Sequence, residues 1–326
     1  MDVVAIISML AFVVGDIIGI LLNSVLAFLI LKKTSKELRS YSFLIFNFAV
    51  CDLIACLFSL LTQARFVGWL RNATCPEHSW YIYNLLWAVS DIWGENFFRI
   101  CVMLHCYPHG LYTLLFSFYY RYHVLSRGPL KTWTIVRIIC LFYVPSFLQL
   151  VLLSLSSDEE GNVRKELQDA LHYDINNKCV SGLLKPTDWE CLYTQVHMGI
   201  PVIPVYAAIL LLRRNIIVKL KTGAMSEKTR HMHSQLLKAI TIQACMPILF
   251  ISAVTNFILS EFDIYHSPLL EFSSYLSLGF IPVLTPLTSL YFIAPYRKWL
   301  TNKLQCKDSA KPAVLVHLSI SINMKN

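Results

Sequence analysis

The chain has 326 residues, of which 56% are hydrophobic and only 15% charged, with a mean hydropathy of +0.55. That composition excludes an ordinary soluble domain and leaves an integral membrane protein with room for about seven helices of roughly 20 apolar residues each. The net charge of +8 does not point to nucleic acid, because the Lys and Arg residues sit in short clusters between apolar runs, where they orient a membrane protein.

Apolar runs able to span lie at residues 3–31, 42–63, 97–120, 133–155, 192–212, 239–260 and 269–293. The first has no basic segment before it and is too long for a signal-peptide core, so it reads as an uncleaved helix. Lys32, Lys33, Lys36 and Arg39 follow it, a cytoplasmic signature that puts the N-terminus outside. Later connections alternate as this requires. The third carries Arg121, Arg127 and Lys131 without an acid, and the fourth is acidic. The fifth carries Arg213, Arg214, Lys219, Lys221, Lys228, Arg230 and Lys238 against Glu227, and the tail after Pro295 is basic again. The expectation is an all-α seven-transmembrane bundle over residues 1–300, N-terminus outside and C-terminus inside, with a cytoplasmic tail at 301–326. Residues 80–93 are apolar and aromatic but short for a span and interrupted by Asp91, which assigns them to an interfacial extracellular segment. The sequon Asn72-Ala73-Thr74 places glycosylation of Asn72 on that same outer side.

Polar residues within the spans are costly in lipid and therefore informative. Asn23, Asn47 and Asp52 read as interior groups that couple or pack helices. Pro247 predicts a kink and pivot in the sixth span, and Pro282 and Pro286 the same in the seventh. His105 and His109 lie four apart on the third helix, Cys101 one turn further, and His197 in the fifth span. Two His on one helix face do not make a metal centre, so they read as the polar lining of a ligand pocket, with Asn256 and Glu271 at its floor and rim. No metal and no cofactor is expected.

At the end of the third span stands Ser117-Phe118-Tyr119-Tyr120-Arg121-Tyr122, which sets Arg121 where the helix meets the cytosol. After the last span Tyr296, Trp299, Leu300 and Leu304 share one helical face, the pattern of an amphipathic helix on the membrane surface, and Cys306 beyond it is a palmitoylation candidate. No Ser/His, paired-Asp or His-Glu-x-x-His signature lies within the spans, so no enzyme is expected. A seven-span transporter or channel is the alternative class, for which only Asp16, Asp52 and the prolines speak.

The stretch from Met225 to Pro247, MSEKTRHMHSQLLKAITIQACMP, resembles the third cytoplasmic loop and sixth helix of nematode chemoreceptors. So do Leu38-Arg39-Ser40-Tyr41-Ser42, Met103-Leu104-His105, the segment around Arg121, and Pro295-Tyr296-Arg297. Together they resemble the serpentine receptor class delta family of the Str-type superfamily, over nearly all of residues 15–300. The resemblance implies a rhodopsin-like G-protein-coupled receptor in the plasma membrane of chemosensory cilia, with an odorant or pheromone as ligand and a heterotrimeric G protein as partner. Arg121, Tyr122, Arg213, Lys228, Arg230 and Lys238 would then face the G protein, and Asn23, Asp52, Pro247 and Pro286 would form the switch. The Asp/Glu-Arg-Tyr and Asn-Pro-x-x-Tyr patterns of rhodopsin-like receptors are replaced by Tyr120-Arg121-Tyr122 and Thr285-Pro286-Leu287-Thr288-Ser289. Cys101 lies roughly 30 Å along the helix from Arg121, so it competes with Cys75 as the cysteine that bridges Cys179 or Cys191.

Overall fold

A computed structural model describes residues 3–34, 39–62, 65–67, 72–74, 96–156, 162, 165, 180–181, 188–222, 227–261 and 268–304. Its helices are α1 (Val3–Lys33), α2 (Arg39–Thr62), α3 (Asn96–Arg127), α4 (Thr132–Leu155), α5 (Trp189–Gly199), α6 (Val202–Thr222), α7 (Glu227–Gln243), α8 (Met246–Glu261), α9 (Pro268–Phe292) and α10 (Ala294–Leu304). Short strands β1 (Arg65–Val67), β2 (Asn72–Thr74) and β3 (Val180–Ser181) form an antiparallel sheet in that order. They were not expected: strands of two or three residues show no period-2 pattern by which to see them.

Seven segments build the bundle. Five are long and apolar enough to cross a membrane: Leu10–Lys33, Ser40–Thr62, Thr132–Leu155, Trp189–Thr222 and His233–Ala253. A sixth is the bent pair Leu276–Phe292 and Ala294–Lys303. The seventh is α3, 32 residues long and poorer in apolar residues because it carries the interior polar groups. Those groups put it at the centre, packed against α2, α4, α5, α6 and α7.

Polarity is distributed inside out. Leu141, Leu155, Ile203 and Tyr291 point outward with 63–77% of their surface exposed, while Asn23, Ser117, Gln149 and Thr194 are wholly buried. Water would penalise such a surface and lipid does not, so the bundle is built to be solvated by acyl chains.

The structure corrects several sequence boundaries. The fifth span is α5 and α6, interrupted at Ile200–Pro201, where Pro201 and Pro204 remove backbone donors. The sixth is α7 and α8, interrupted at Ala244–Cys245 immediately before Pro247. Residues 213–238, read as a basic loop, are helical except for 223–226, which lie outside the described residues. Long Lys and Arg side chains suit helix ends because their stems lie along apolar surface while their heads reach polar medium. Residues 80–93, Cys306 and the tail from 305 also lie outside the described residues.

Two contacts lock α1 into place. A methyl group on Gly19 would come within 2.4 Å of the Cys56 sulfur, so only glycine permits this approach of α1 to α2. Pro286 has no N–H to return to the Pro282 carbonyl four residues earlier, and the buried Asn23 side chain supplies the missing donor at 2.9 Å while also bonding the Gly19 carbonyl. At the other end Tyr296 of α10 is fully buried and its hydroxyl bonds Thr34 at 2.9 Å, and Trp299 meets Phe28 at 6.0 Å, folding α10 at 91° to α9 against α1. Asn23→Leu strands the Pro282 carbonyl in an apolar interior. Its expected cost is about 1–2 kcal/mol, read as a lower thermal midpoint in detergent, and an unchanged midpoint would contradict this role.

Candidate functional site

On α3 the residues His105, His109, Thr113, Ser117 and Arg121 follow one another at intervals of four, each no more than 4% exposed. This spacing makes a ridge that winds along one helix and meets different neighbours as it goes. Near the Cys101 end, His105 Nε2 lies 3.2 Å from the Tyr143 hydroxyl of α4, and the His109 ring meets the edge of Tyr143 at 5.1 Å. The Asn47 amide of α2 bonds His109 Nε2 and donates to the Thr113 hydroxyl, both at 3.0 Å.

His197 belongs to a separate cluster. Its Nδ1 bonds Gln149 Oε1 of α4 at 2.7 Å, and its ring packs on Tyr193 at 5.6 Å and Tyr112 at 5.7 Å. Asn256 lies across the bundle, donating to Ser273 of α9 at 2.9 Å beside a Ser252–Ser277 bond at 3.3 Å. Glu271 belongs to α9, its side chain outside the described residues. The structure therefore does not gather His105, His109, His197 and Asn256 into one pocket. His105 turns towards α4, His109 towards α2 and α4, and His197 from α5 towards Gln149 of α4 and Tyr112 of α3, because shared spacing along a helix does not choose among the neighbours on its several sides. Among the described residues no group of three or more His, Cys, Asp or Glu side chains converges as a metal site.

A cavity of about 60 Å³ lies between α2, α3, α8 and α9 and the end of α7. Asp52, Tyr107, Gln243, Pro247, Phe250 and Thr285 line it, and one Asp52 carboxylate oxygen is buried without a partner. Gln243, the last residue of α7, donates to the Thr285 carbonyl and the Ser289 hydroxyl of α9, both at 3.3 Å. The helical break of the sixth span is thus tied to α9 at the cavity wall, with Pro247 on its far side.

At the other end of α3 the Arg121 guanidinium lies 4.1 Å from the centre of the Tyr41 ring, which stacks on Tyr120 at 5.9 Å. Arg121 is 3% exposed, and its Nε and one terminal nitrogen are buried without hydrogen-bond partners. Lys219 of α6 sits 4.8 Å over the Tyr122 ring and bonds Ser126, bringing α6 to the same end. Arg213, Arg230 and Lys238 line a second cavity beside it. Lys228 belongs to α7, its side chain outside the described residues.

Cys101 and Cys191 come together in one buried apolar cluster. Cys75 and Cys179 lie outside the described residues. The backbone of Asn72 starts β2, its side chain outside the described residues.

Sequence reasoning missed Tyr41, Tyr143, Gln149, Gln243 and Thr285 as partners. Gln149 and Gln243 carried a signal, each being an amide within a span, whereas a tyrosine in a membrane helix looks like any interfacial aromatic.

A bundle with a polar central helix, a proline-broken sixth span and an arginine buried at one end has the architecture of a seven-transmembrane receptor. Residues 9–302 match the family described as "Serpentine type 7TM GPCR chemoreceptor Srd". Three proteins of Caenorhabditis elegans are similar along nearly their whole length. Serpentine receptor class delta-18 is 35% identical, covering 86% of this chain and 84% of its own. Serpentine receptor class delta-3 is 34% identical, covering 91% and 87%, and serpentine receptor class delta-19 is 32% identical, covering 86% and 83%. The chain belongs to the serpentine receptor class delta family of chemoreceptors, and is a multi-pass membrane protein.

Proposed function

We propose that this chain is a chemosensory receptor of the ciliary plasma membrane that binds a small odorant or pheromone and activates a heterotrimeric G protein, with its N-terminus outside and the Arg121 end inside. The observation that carries the reading is Arg121, a cation buried on Tyr41 with two donor nitrogens unmatched. Unmatched donors in an interior are costly, so a rearranged state that gives them acceptors lies within reach of a modest ligand bias. The basic ends of α3, α6 and α7, with Tyr122, Arg213, Lys228, Arg230 and Lys238, are the coupling face.

The ligand reading moves from the three histidines to the seam of α8 and α9, from Asn256 down to the Asp52 cavity. At about 60 Å³ that cavity holds a few waters and no odorant. A ligand entering it separates α8 from α9, and the break at Ala244–Cys245 is the hinge on which α7 would swing. Asn23 and Pro286 hold α9 to α1 while this happens.

Thr74 pairs with Val180 in the sheet. In the sequence Cys75 follows β2 and Cys179 precedes β3, and we take these two as our candidate disulfide. With the N-terminus outside, they and Asn72 stand on the oxidising, glycosylated side.

Arg121→Ala should abolish ligand-evoked signalling through a promiscuous G protein while surface expression persists; normal signalling would remove Arg121 from the mechanism. In intact cells a C-terminal epitope tag should be reachable only after permeabilisation, and unreduced peptide maps of the same membranes should recover Cys75 joined to Cys179. Tag labelling without permeabilisation would reverse the orientation, and a bridge from Cys101 instead would refute the Cys75–Cys179 pairing.

A further inference from the structure

At the Arg121 end, α6, α7 and the end of α9 border an open cavity of about 580 Å³, a size ordinary for organic ligands. Arg213 and Lys221 of α6 and Arg230 and Lys238 of α7 line it, and no carboxylate belongs to the lining among the described residues. Lys221, Arg230 and Lys238 are exposed, and an anion in the space they share with Arg213 is attracted by all four.

The spacing is informative. On each helix the two cations lie eight positions apart, which at 1.5 Å per residue separates them by roughly 12 Å along the axis. Because α6 and α7 run in opposite directions, Arg213 faces Lys238 at the deeper level, where Arg213 also donates to Thr241 at 3.3 Å. Lys221 and Arg230 form the outer level. At the deeper level the wall also carries Ile242, 41% exposed on the bundle surface, and Phe292. The cavity thus offers two tiers of positive charge and an apolar exit towards the lipid. A free inorganic anion would leave the apolar exit unused, and a lipid with a single headgroup charge would leave the outer tier unused.

We propose that this cavity binds a polyphosphorylated membrane lipid of the phosphoinositide kind, with the diester phosphate between Arg213 and Lys238, the ring phosphates between Lys221 and Arg230, and an acyl chain leaving past Ile242 and Phe292. Basic pockets between membrane helices recognise such headgroups by charge and shape together. The lipid then bridges α6 and α7 at the coupling face, so that its phosphates form part of the surface the G protein meets. The proposal rests on the inward orientation proposed above, because phosphoinositides belong to the cytoplasmic leaflet.

The test is native mass spectrometry of the full-length receptor in detergent, titrated with dioctanoyl phosphatidylinositol 4,5-bisphosphate, dioctanoyl phosphatidylserine, inositol 1,4,5-trisphosphate or an acidic peptide. The bisphosphate lipid should form a one-to-one adduct at least tenfold more tightly than the other three. The double variants Arg213→Gln/Lys238→Gln and Lys221→Gln/Arg230→Gln should each weaken it at least tenfold. Ile242→Trp, which changes no charge, should weaken it by blocking the exit, and Arg127→Gln/Lys303→Gln, outside the cavity, should not. Equal binding of the soluble trisphosphate would make this a free-phosphate site, and preference for the peptide a protein-docking site. Equal loss in the control variant would reduce the effect to surface charge, and absence of an adduct would exclude the site; each of these overturns the proposal. Detergent removes sidedness, so a failure here is distinct from a failure of orientation, which the epitope tag reads.

Discussion

The rest of the structure depends on one constraint, that a polar group inside a bilayer must find its partner within the protein. The ridge His105, His109, Thr113, Ser117 and Arg121 cannot face acyl chains, so α3 is driven to the centre and the other helices close around it. Asn47 and Tyr143 are the partners that α2 and α4 bring to that ridge, and Tyr41 meets it at its far end. Packing among apolar side chains contributes throughout, but lipid tails offer much the same contacts, so it is the polar ridge that chooses which helix lies inside.

The prolines apply the same constraint to the backbone. Each one orphans a carbonyl four residues earlier, and the bundle answers differently at different places. Pro286 is compensated by Asn23, which makes a seam between α1 and α9. Pro247 coincides with an actual break, and the nearest side-chain stitch is Gln243, held to α9 by two bonds of 3.3 Å. α9 is thus held by Asn23 on one side and by Gln243, at the break of the sixth span, on the other.

Much of this was legible in the sequence. Hydropathy gave the spans, and the lone asparagine of α1 and the prolines were marked as interior features before their partners were known. Tyr296 and Trp299 on one face marked α10 as an amphipathic helix, but the burial of Tyr296 against Thr34 did not follow from that pattern. The partners of the histidines did not follow: periodicity tells which residues share a helix face, not which neighbour that face meets, and His105 and His109 meet Tyr143 and Asn47 while His197 meets Gln149 and Tyr112. The break at Ile200–Pro201 was hidden within a continuous apolar run. Tyr41 was visible only as part of a family motif, because nothing local says that a tyrosine at the start of one helix will lie under an arginine at the end of another.

That pair carries the central claim, that the resting bundle holds Arg121 on the face of an aromatic ring and signalling releases it. A buried cation–π contact contributes about 1–2 kcal/mol, so losing it shifts a two-state equilibrium roughly 5- to 30-fold. The most direct measurement is ligand-independent nucleotide exchange on a promiscuous G protein by receptors carrying Tyr41→Phe or Tyr41→Leu, at matched surface expression. The account predicts near-normal basal activity for Tyr41→Phe, which keeps the ring, and a severalfold rise for Tyr41→Leu. Equal basal activity in the two variants would contradict it.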